Sequence, residues 1–294
     1  MKIQLLLFIM ALILLAPVIC AAEDVLIEFV DDSPTGVSLS PDPIATPRAA
    51  PTGDIDASSG DGDIEVMLLP QIEGALPRAM SDKRILIYNS HTHEAYEPTS
   101  ENPYKALSKW RTKDESANMV AVGAYLTELL RAQGHTVTHD RTDYEQNDLS
   151  NAYVRSLKGI EKRTNAGEIY DLYLDIHRDA YSESAVGNVI SVGGERLARL
   201  MCLVGTGKGQ TGAGFAVKPD FDKNNALAVR LTRILNNQTD NLCRSVCVKS
   251  GRFNQHVGKL CLLIEVGNNK NTLEEALLSL PYLADALTEA LAEY

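Results

Sequence analysis

The sequence predicts an α/β domain: a mixed, mainly parallel sheet with helices on both faces. Two observations lead there. Apolar runs of strand length alternate with stretches of helical period, in the order β-α-β-α-β-(ββ)-α-β-α, and strands joined through helices tend to return parallel to one another. Three of the strand-like runs also end in His or Glu: Ile85 to Glu94, Leu172 to Asp179, and Leu262 to Asn268. Open α/β sheets gather their ligands at the carboxyl ends of strands, so distant parts of the chain are expected to build one site.

Each element has its own signal. The first strand covers Arg84–Ser90, and a polar loop with Pro98, Pro103 and Trp110 follows. Met119, Val120, Val122, Leu126, Leu129 and Leu130 fall at helical spacing within Glu115–Gln133. Gly134 closes that helix, since glycine enters the left-handed C-terminal conformation without steric cost. His135–His139 alternates like a short strand. A second helix fits Ala152–Thr164, ended by Ala166-Gly167, and Asp171–Ile176 is the next strand. Gly187–Val192 and Leu200–Gly205 read as strands joined by a polar turn. Pro219–Asn236 is a helix, Leu260–Val266 a strand, and Thr272–Leu278 and Pro281–Leu291 two terminal helices, with Pro281 at a helix start.

The folded part is expected to cover 81–294. Before it, Lys2 precedes an uncharged apolar run from Ile3 to about Ala22. This reads either as a secretory signal peptide, with Cys20-Ala21-Ala22 as its cleavage site, or as a membrane anchor of roughly the 20 residues a bilayer needs. Both readings place the rest outside the cytoplasm, secreted or anchored to the cell membrane. Residues 23–80 hold 12 Asp/Glu against 2 Arg, and 7 of the chain's 12 prolines, with no apolar period. That composition predicts a disordered, extended linker. Residues 81–294 are close to neutral, with 27 acidic and 25 basic residues, which argues against nucleic acid as a partner. Cys202 and Cys261 sit in apolar runs and are expected to be buried thiols, whereas Cys243 and Cys247 are spaced for a local disulfide.

The chemistry concentrates in few residues. His177 follows five residues of strand and precedes Arg178-Asp179, a poor setting for a core histidine, and His91 lies just past its own strand end. Both are candidate metal ligands. His93 could join them if the loop extends, or be an ordinary polar-loop histidine. Glu265 ends an apolar strand, where an unpartnered carboxylate is costly, so it is expected either to handle protons beside a metal or to pair with Arg178. Glu94 and Glu115 compete for the third ligand position; Glu115 could equally serve the dipole of the first helix. Asp175 and Asp179 flank His177 and could orient its second ring nitrogen. Two imidazoles, a carboxylate and a proton-accepting glutamate suit Zn²⁺ in a hydrolase. The run His91-Thr92-His93-Glu94 is not HExxH, and no GxSxG or P-loop occurs.

The segments Ile87–Tyr96, Asn118–Gly123, Asp175–Ala180, Phe253–Gln255, Leu263–Asn269 and Asn271–Ala276 resemble, in the same order, the stage II sporulation protein P family. That family falls within the zinc amidases that cleave N-acetylmuramoyl-L-alanine bonds in peptidoglycan. The resemblance covers about residues 83–294. It implies His91 and His177 as metal histidines, Glu265 as the catalytic glutamate of the wider amidase group, and Glu94 as the glutamate of the first motif. In the wider group a ligand glutamate comes from just before the first helix, where Glu115 lies, so the choice stays open. The chain departs from the family pattern at Asn89, where His is usual, and at His93, where Thr is usual. The resemblance further implies Zn²⁺ as cofactor, septal peptidoglycan as substrate during engulfment, cross-link cleavage as a second activity, and stage II sporulation proteins D and M as partners. Beside such a metal, Arg178 would hold a peptide carboxylate or stabilise a developing oxyanion. Two rival readings are an inactive wall-binding or scaffolding domain of the same fold, and a metal-dependent deacetylase or phosphoesterase, which would want more Asp ligands close together.

Overall fold

A computed structural model describes residues 82–146, 148–179 and 188–294. The leader and the acidic segment of the sequence reading lie outside the described residues, as does Gly187. Among the described residues no helix is long and apolar enough to cross a membrane.

The elements are β1 (Arg84–Tyr88), α1 (Met119–Ala132), β2 (Thr136–His139), α2 (Ala152–Asn165), β3 (Leu172–Asp179), β4 (Val189–Val192), β5 (Glu195–Ala198), β6 (Leu200–Gly205), α3 (Phe221–Gln238), β7 (Cys247–Lys249), β8 (Cys261–Asn268) and α4 (Leu273–Leu291). Six strands form one sheet in the order β2-β1-β3-β8-β6-β7. β2, β1, β3 and β8 run parallel, and β6 is antiparallel to β8 while parallel to β7. The sheet is therefore mixed and mainly parallel. The chain leaves β1 to one side for β2 and returns to the other side for β3. This reversal opens a crevice at the carboxyl ends of β1 and β3, where such sheets bind ligands.

Strand alternation divides the side chains between two layers. Ile85, Ile87, Leu172, Leu174, Ile176, Leu262, Ile264, Leu200 and Cys202 face α1, α3 and α4 in the large core. Leu86, Tyr88, Tyr173 and Cys261 pack with Ile160 of α2 on the opposite face. That second face also carries Asp175, His177 and Glu265, which share its parity along β3 and β8.

Four elements differ from the sequence reading. α1 begins at Met119 rather than at Glu115, because the Asn118 side chain accepts from the Val120 N–H and caps the helix there. The terminal helix is continuous through Pro281. It starts from a Thr272/Glu275 capping box. A helix-interior proline costs about 3 kcal/mol, but fully burying Leu280, Leu283 and Leu287 returns roughly 1.5–3 kcal/mol each. β5 was not foreseen. It pairs with β4 as a separate hairpin across Gly193-Gly194, both with positive φ, as two-residue hairpin turns require. This leaves β6 to enter the main sheet alone. Finally, β7 adds a short edge strand. Cys202, Cys243, Cys247 and Cys261 are all buried and outside any disulfide among the described residues. Cys243 bridges Leu200, while Cys247 pairs with Leu203, and no Cys243–Cys247 disulfide forms.

Candidate metal centre

The loop after β1 folds back on itself to aim two side chains at one point. Glu94 N donates to His91 O at 3.4 Å, closing a turn. Glu94 then bridges Arg111, Ala95 bridges Asn118, and Met119 N donates to Glu94 O at 3.1 Å. The loop is thus fastened to the start of α1. Within the turn, His91 Nδ1 lies 3.2 Å from Glu94 Oε1. The other oxygen, Oε2, lies 3.5 Å from His177 Nδ1 on β3. The two imidazole rings stand edge to face with centroids 4.9 Å apart. One ligand atom from each of His91, Glu94 and His177 falls within 4.8 Å of the others.

His177 is oriented from behind. Ser90 Oγ donates to Asp175 Oδ2 at 2.7 Å, and Ser90 N donates to Asp175 Oδ1 at 2.9 Å. With its proton committed, Ser90 Oγ stands 2.9 Å from His177 Nε2, and Asp175 Oδ1 also stands 2.9 Å from it. Both are acceptors. They hold a proton on Nε2, so Nδ1 is the nitrogen that faces Glu94: it carries a proton toward that carboxylate in the metal-free protein and would offer its lone pair to an ion bound there, the carboxylate–imidazole arrangement that backs metal-binding histidines.

The electrostatics follow from burial. Burial alone would lower His177, but the Asp175 and Glu94 carboxylates outweigh it and raise the ring well above its usual value. Burial lowers His91 in spite of Glu94. For Glu94, burial would raise the carboxyl; the Arg178 charge and hydrogen bonds from His177 and His91 outweigh it and hold it well below the usual range. Glu265 stands beside His177 in the β3–β8 register. Burial pushes its carboxyl up to about 8, with Asp179 and Glu94 adding to the shift and His177 and Arg178 opposing it. Its Oε2 is buried without a hydrogen-bond partner.

His91, Glu94, His177 and Glu265 therefore converge. Two other candidates do not. Glu115 is half exposed, pairs with Arg141, and is absent from the three-residue cluster, because α1 starts four residues later than its sequence suggested. Arg178 is turned away by strand alternation. Its guanidinium donates to the carbonyls of Ala95 (2.9 Å), Trp110 (3.1 Å) and Asp179 (3.4 Å), while its backbone N–H donates to Glu94 Oε2 at 3.2 Å. A head group held by these carbonyls buttresses the Glu94 loop. Asp179 pairs with Arg244 rather than with His177. His93 points out of the cluster toward Asp143 and Glu145.

The sequence reading missed Ser90 and Tyr153. Ser90 carried a signal, being flanked by the strand end and His91. Tyr153 carried none. Its ring lies 5.1 Å from His91, edge on, and parallel to His177 at 6.3 Å. It is fixed by Asn254, whose Nδ2 donates to Tyr153 O at 2.8 Å from a loop where both Phe253 and Asn254 have positive φ.

Two imidazoles and one carboxylate, with one oxygen of a further buried carboxyl lacking a hydrogen-bond partner, form a donor set that fits a zinc ion with an open position. Among the described residues no Lys or Arg forms an ion pair with Glu265, and the more distant Arg178 charge does not offset its burial, which again fits a cation in the cluster.

A curated relative, Stage II sporulation protein P of Bacillus subtilis (strain 168), is 24% identical over 225 residues, covering 71% of this chain and 51% of the relative. The chain thus spans about half the length of that protein. Among solved structures, the CwlD amidase of Clostridioides difficile in complex with the GerS lipoprotein aligns with a TM-score of 0.46 and 14% identity, over 72% of this chain and 98% of that one. An N-acetylmuramoyl-L-alanine amidase of Clostridium difficile 630 aligns with a TM-score of 0.44 and 16% identity, over 72% and 96%. The family described as Stage II sporulation protein P (SpoIIP) matches residues 53–288, a span that includes every member of the cluster and Glu265. This chain belongs to the stage II sporulation protein P family.

Proposed function

We propose that the chain is a zinc-dependent peptidoglycan hydrolase that cleaves the amide joining N-acetylmuramic acid to L-alanine. The observation that carries this reading is the meeting of His91, Glu94 and His177 within 4.8 Å, with Glu265 beside His177 on the neighbouring strand. Family membership supports the substrate class. The three clustered residues would hold the ion, which supplies Lewis acidity toward a scissile carbonyl and toward water.

The chain's own residues do the rest. Asp175 and Ser90 hold His177 in one tautomer. Glu265 Oε2, buried and without a partner, takes a proton from the attacking water and returns it to the leaving amine nitrogen. A cation in the cluster favours the ionised form of Glu265 that this role needs. Arg178 keeps Glu94 ionised and its loop in place.

The proposal extends to the setting. Residues 1–22 act as signal or anchor, 23–80 as a spacer, and 81–294 as the catalytic domain acting on septal wall during engulfment, with proteins D and M of the same sporulation stage as partners. Cross-link cleavage is a second activity of the same site.

The test is to incubate the purified protein with peptidoglycan, with and without chelator, and to identify the released groups by mass spectrometry. Free stem peptides beginning with L-alanine, lost on chelation and restored by zinc, are expected. Glycan strands that keep every stem peptide in the presence of zinc would overturn the amidase reading in favour of a binding or scaffolding domain.

A further inference from the structure

His93 lies between two residues of the cluster, yet its ring is buried elsewhere, 5% exposed. Its Nε2 is 2.9 Å from Asp143 Oδ1 and its Nδ1 is 3.4 Å from Glu145 Oε2. Its backbone N–H donates to Glu145 Oε1 at 3.0 Å. The guanidinium of Arg111 pairs with the same Glu145 carboxylate. Glu145, 2% exposed, thus meets a side chain and a backbone group of the His91–Glu94 loop and a cation from the loop before α1.

Further contacts repeat the pattern. Thr92 Oγ1 accepts from Tyr144 N at 3.1 Å, and Thr112 N donates to His93 O at 2.9 Å. Glu94 bridges Arg111. The anchor is itself held to α2, where Arg155 donates to the carbonyls of Tyr144, Glu145 and Asp148. The loop carrying His91 and Glu94 is therefore gripped at the two residues between them. A buried carboxylate is costly without partners. The arrangement that satisfies Glu145 is also the one that sets His91 and Glu94 at 3.2 Å.

We propose that Glu145 is a positioning residue for the metal centre: through His93 and Arg111 it fixes the His91–Glu94 loop in its ligand-holding form. This rests on the metal reading above. Metal ligands work only within a few tenths of an ångström of ideal distances, and loops hold such tolerances only when packed from outside.

The full chain is titrated with zinc against a chromophoric chelator, and the melting temperature of the metal-free protein is recorded in parallel. Glu145→Gln keeps the shape and an acceptor for the His93 N–H but removes the charge facing Arg111. His93→Gln leaves the carboxylate and Arg111 in place, and serves alone if the first variant does not fold. Asn224→Ala is the control: Asn224 is buried and bonded to Gln255 O and Cys261 N, at the end of β8 away from the cluster. The first two variants are expected to weaken zinc binding by about 10–100-fold, as supporting residues of metal sites do, and the double variant by no more than the worse single, since the two act as one unit. Asn224→Ala is expected to lower the melting temperature and leave zinc affinity unchanged. Unchanged zinc affinity in both Glu145→Gln and His93→Gln would overturn the proposal, as would an equal loss in Asn224→Ala, which would mark a merely structural effect. A wild-type chain that binds no zinc would overturn the metal reading itself, and this inference with it.

Discussion

Two buried acidic groups sit at neighbouring strand ends of the same sheet and are treated in opposite ways. Asp140, just after β2, is satisfied from within. Its oxygens accept from Thr142 N (3.1 Å), Thr142 Oγ1 (2.7 Å), Tyr144 Oη (2.8 Å) and Arg163 Nε (3.0 Å). Burial would raise its carboxyl, but these hydrogen bonds outweigh burial and lower it. At the ends of β1, β3 and β8, by contrast, Glu94, Asp175 and Glu265 share two imidazoles, and one oxygen of Glu265 has no partner. The first cluster is complete as an ion pair. The second leaves a buried carboxylate oxygen open, as the proposed metal site requires.

This contrast can be broken by experiment. The largest effect is expected at Glu265. If it moves protons, Glu265→Gln lowers the turnover of peptidoglycan by about 10²–10⁴-fold with zinc still bound; a loss below tenfold, measured as stem peptide released per unit time, would remove it from that role. Next come the ligands. His177→Ala and Glu94→Gln should each weaken zinc by more than the roughly 10–100-fold of outer residues, with Asp175→Asn falling inside that range; equal affinities for all three in a chelator competition would contradict the ranking.

The closed cluster should answer in stability instead. Asp140→Asn is expected to cost about 1–3 kcal/mol, since Arg163 is partly exposed and screened by water, seen as a lower melting temperature. Its zinc affinity should change less than that of Asp175→Asn.

The smallest effect is a pH dependence of the metal-free protein. Glu265 titrates near 8 when folded and near 4.3 when unfolded, so the folded state binds the extra proton between those values. Its contribution is greatest at low pH and is lost as pH rises toward 8. Metal-free Glu265→Gln should therefore gain melting temperature relative to wild type between pH 5 and pH 8.5. A gap that stays constant over that range would place the shift elsewhere.

Much of this was readable before any coordinates. His91, His177 and Glu265 were singled out because each ends an apolar strand, a local pattern that burial energetics makes conspicuous. The α/β class followed from alternating periods. What failed was local competition and pairing. Asn118 displaced the expected start of α1 by four residues and removed Glu115 from the site. The β4–β5 hairpin was hidden because Glu195 and Arg196 are both exposed and polar and Leu197 and Ala198 both buried, a pattern without strand alternation. Arg178 adjoins His177 in sequence, but strand alternation places its guanidinium against the carbonyls of Ala95 and Trp110.

By itself, then, the sequence determined which residues have no comfortable place in a core, and that most of them lie at strand ends. Only the tertiary structure decided which of them meet. The β1–β3–β8 order sets His177 beside Glu265, the turn at His91–Glu94 brings Glu94 rather than Glu115 to the cluster, and Asp143 and Glu145 draw His93 away from it. The reason is physical: burial cost is a property of one residue and its period, whereas a metal site depends on strand order, register and loop packing between segments more than 80 residues apart, as the Arg178–Glu94 contact is.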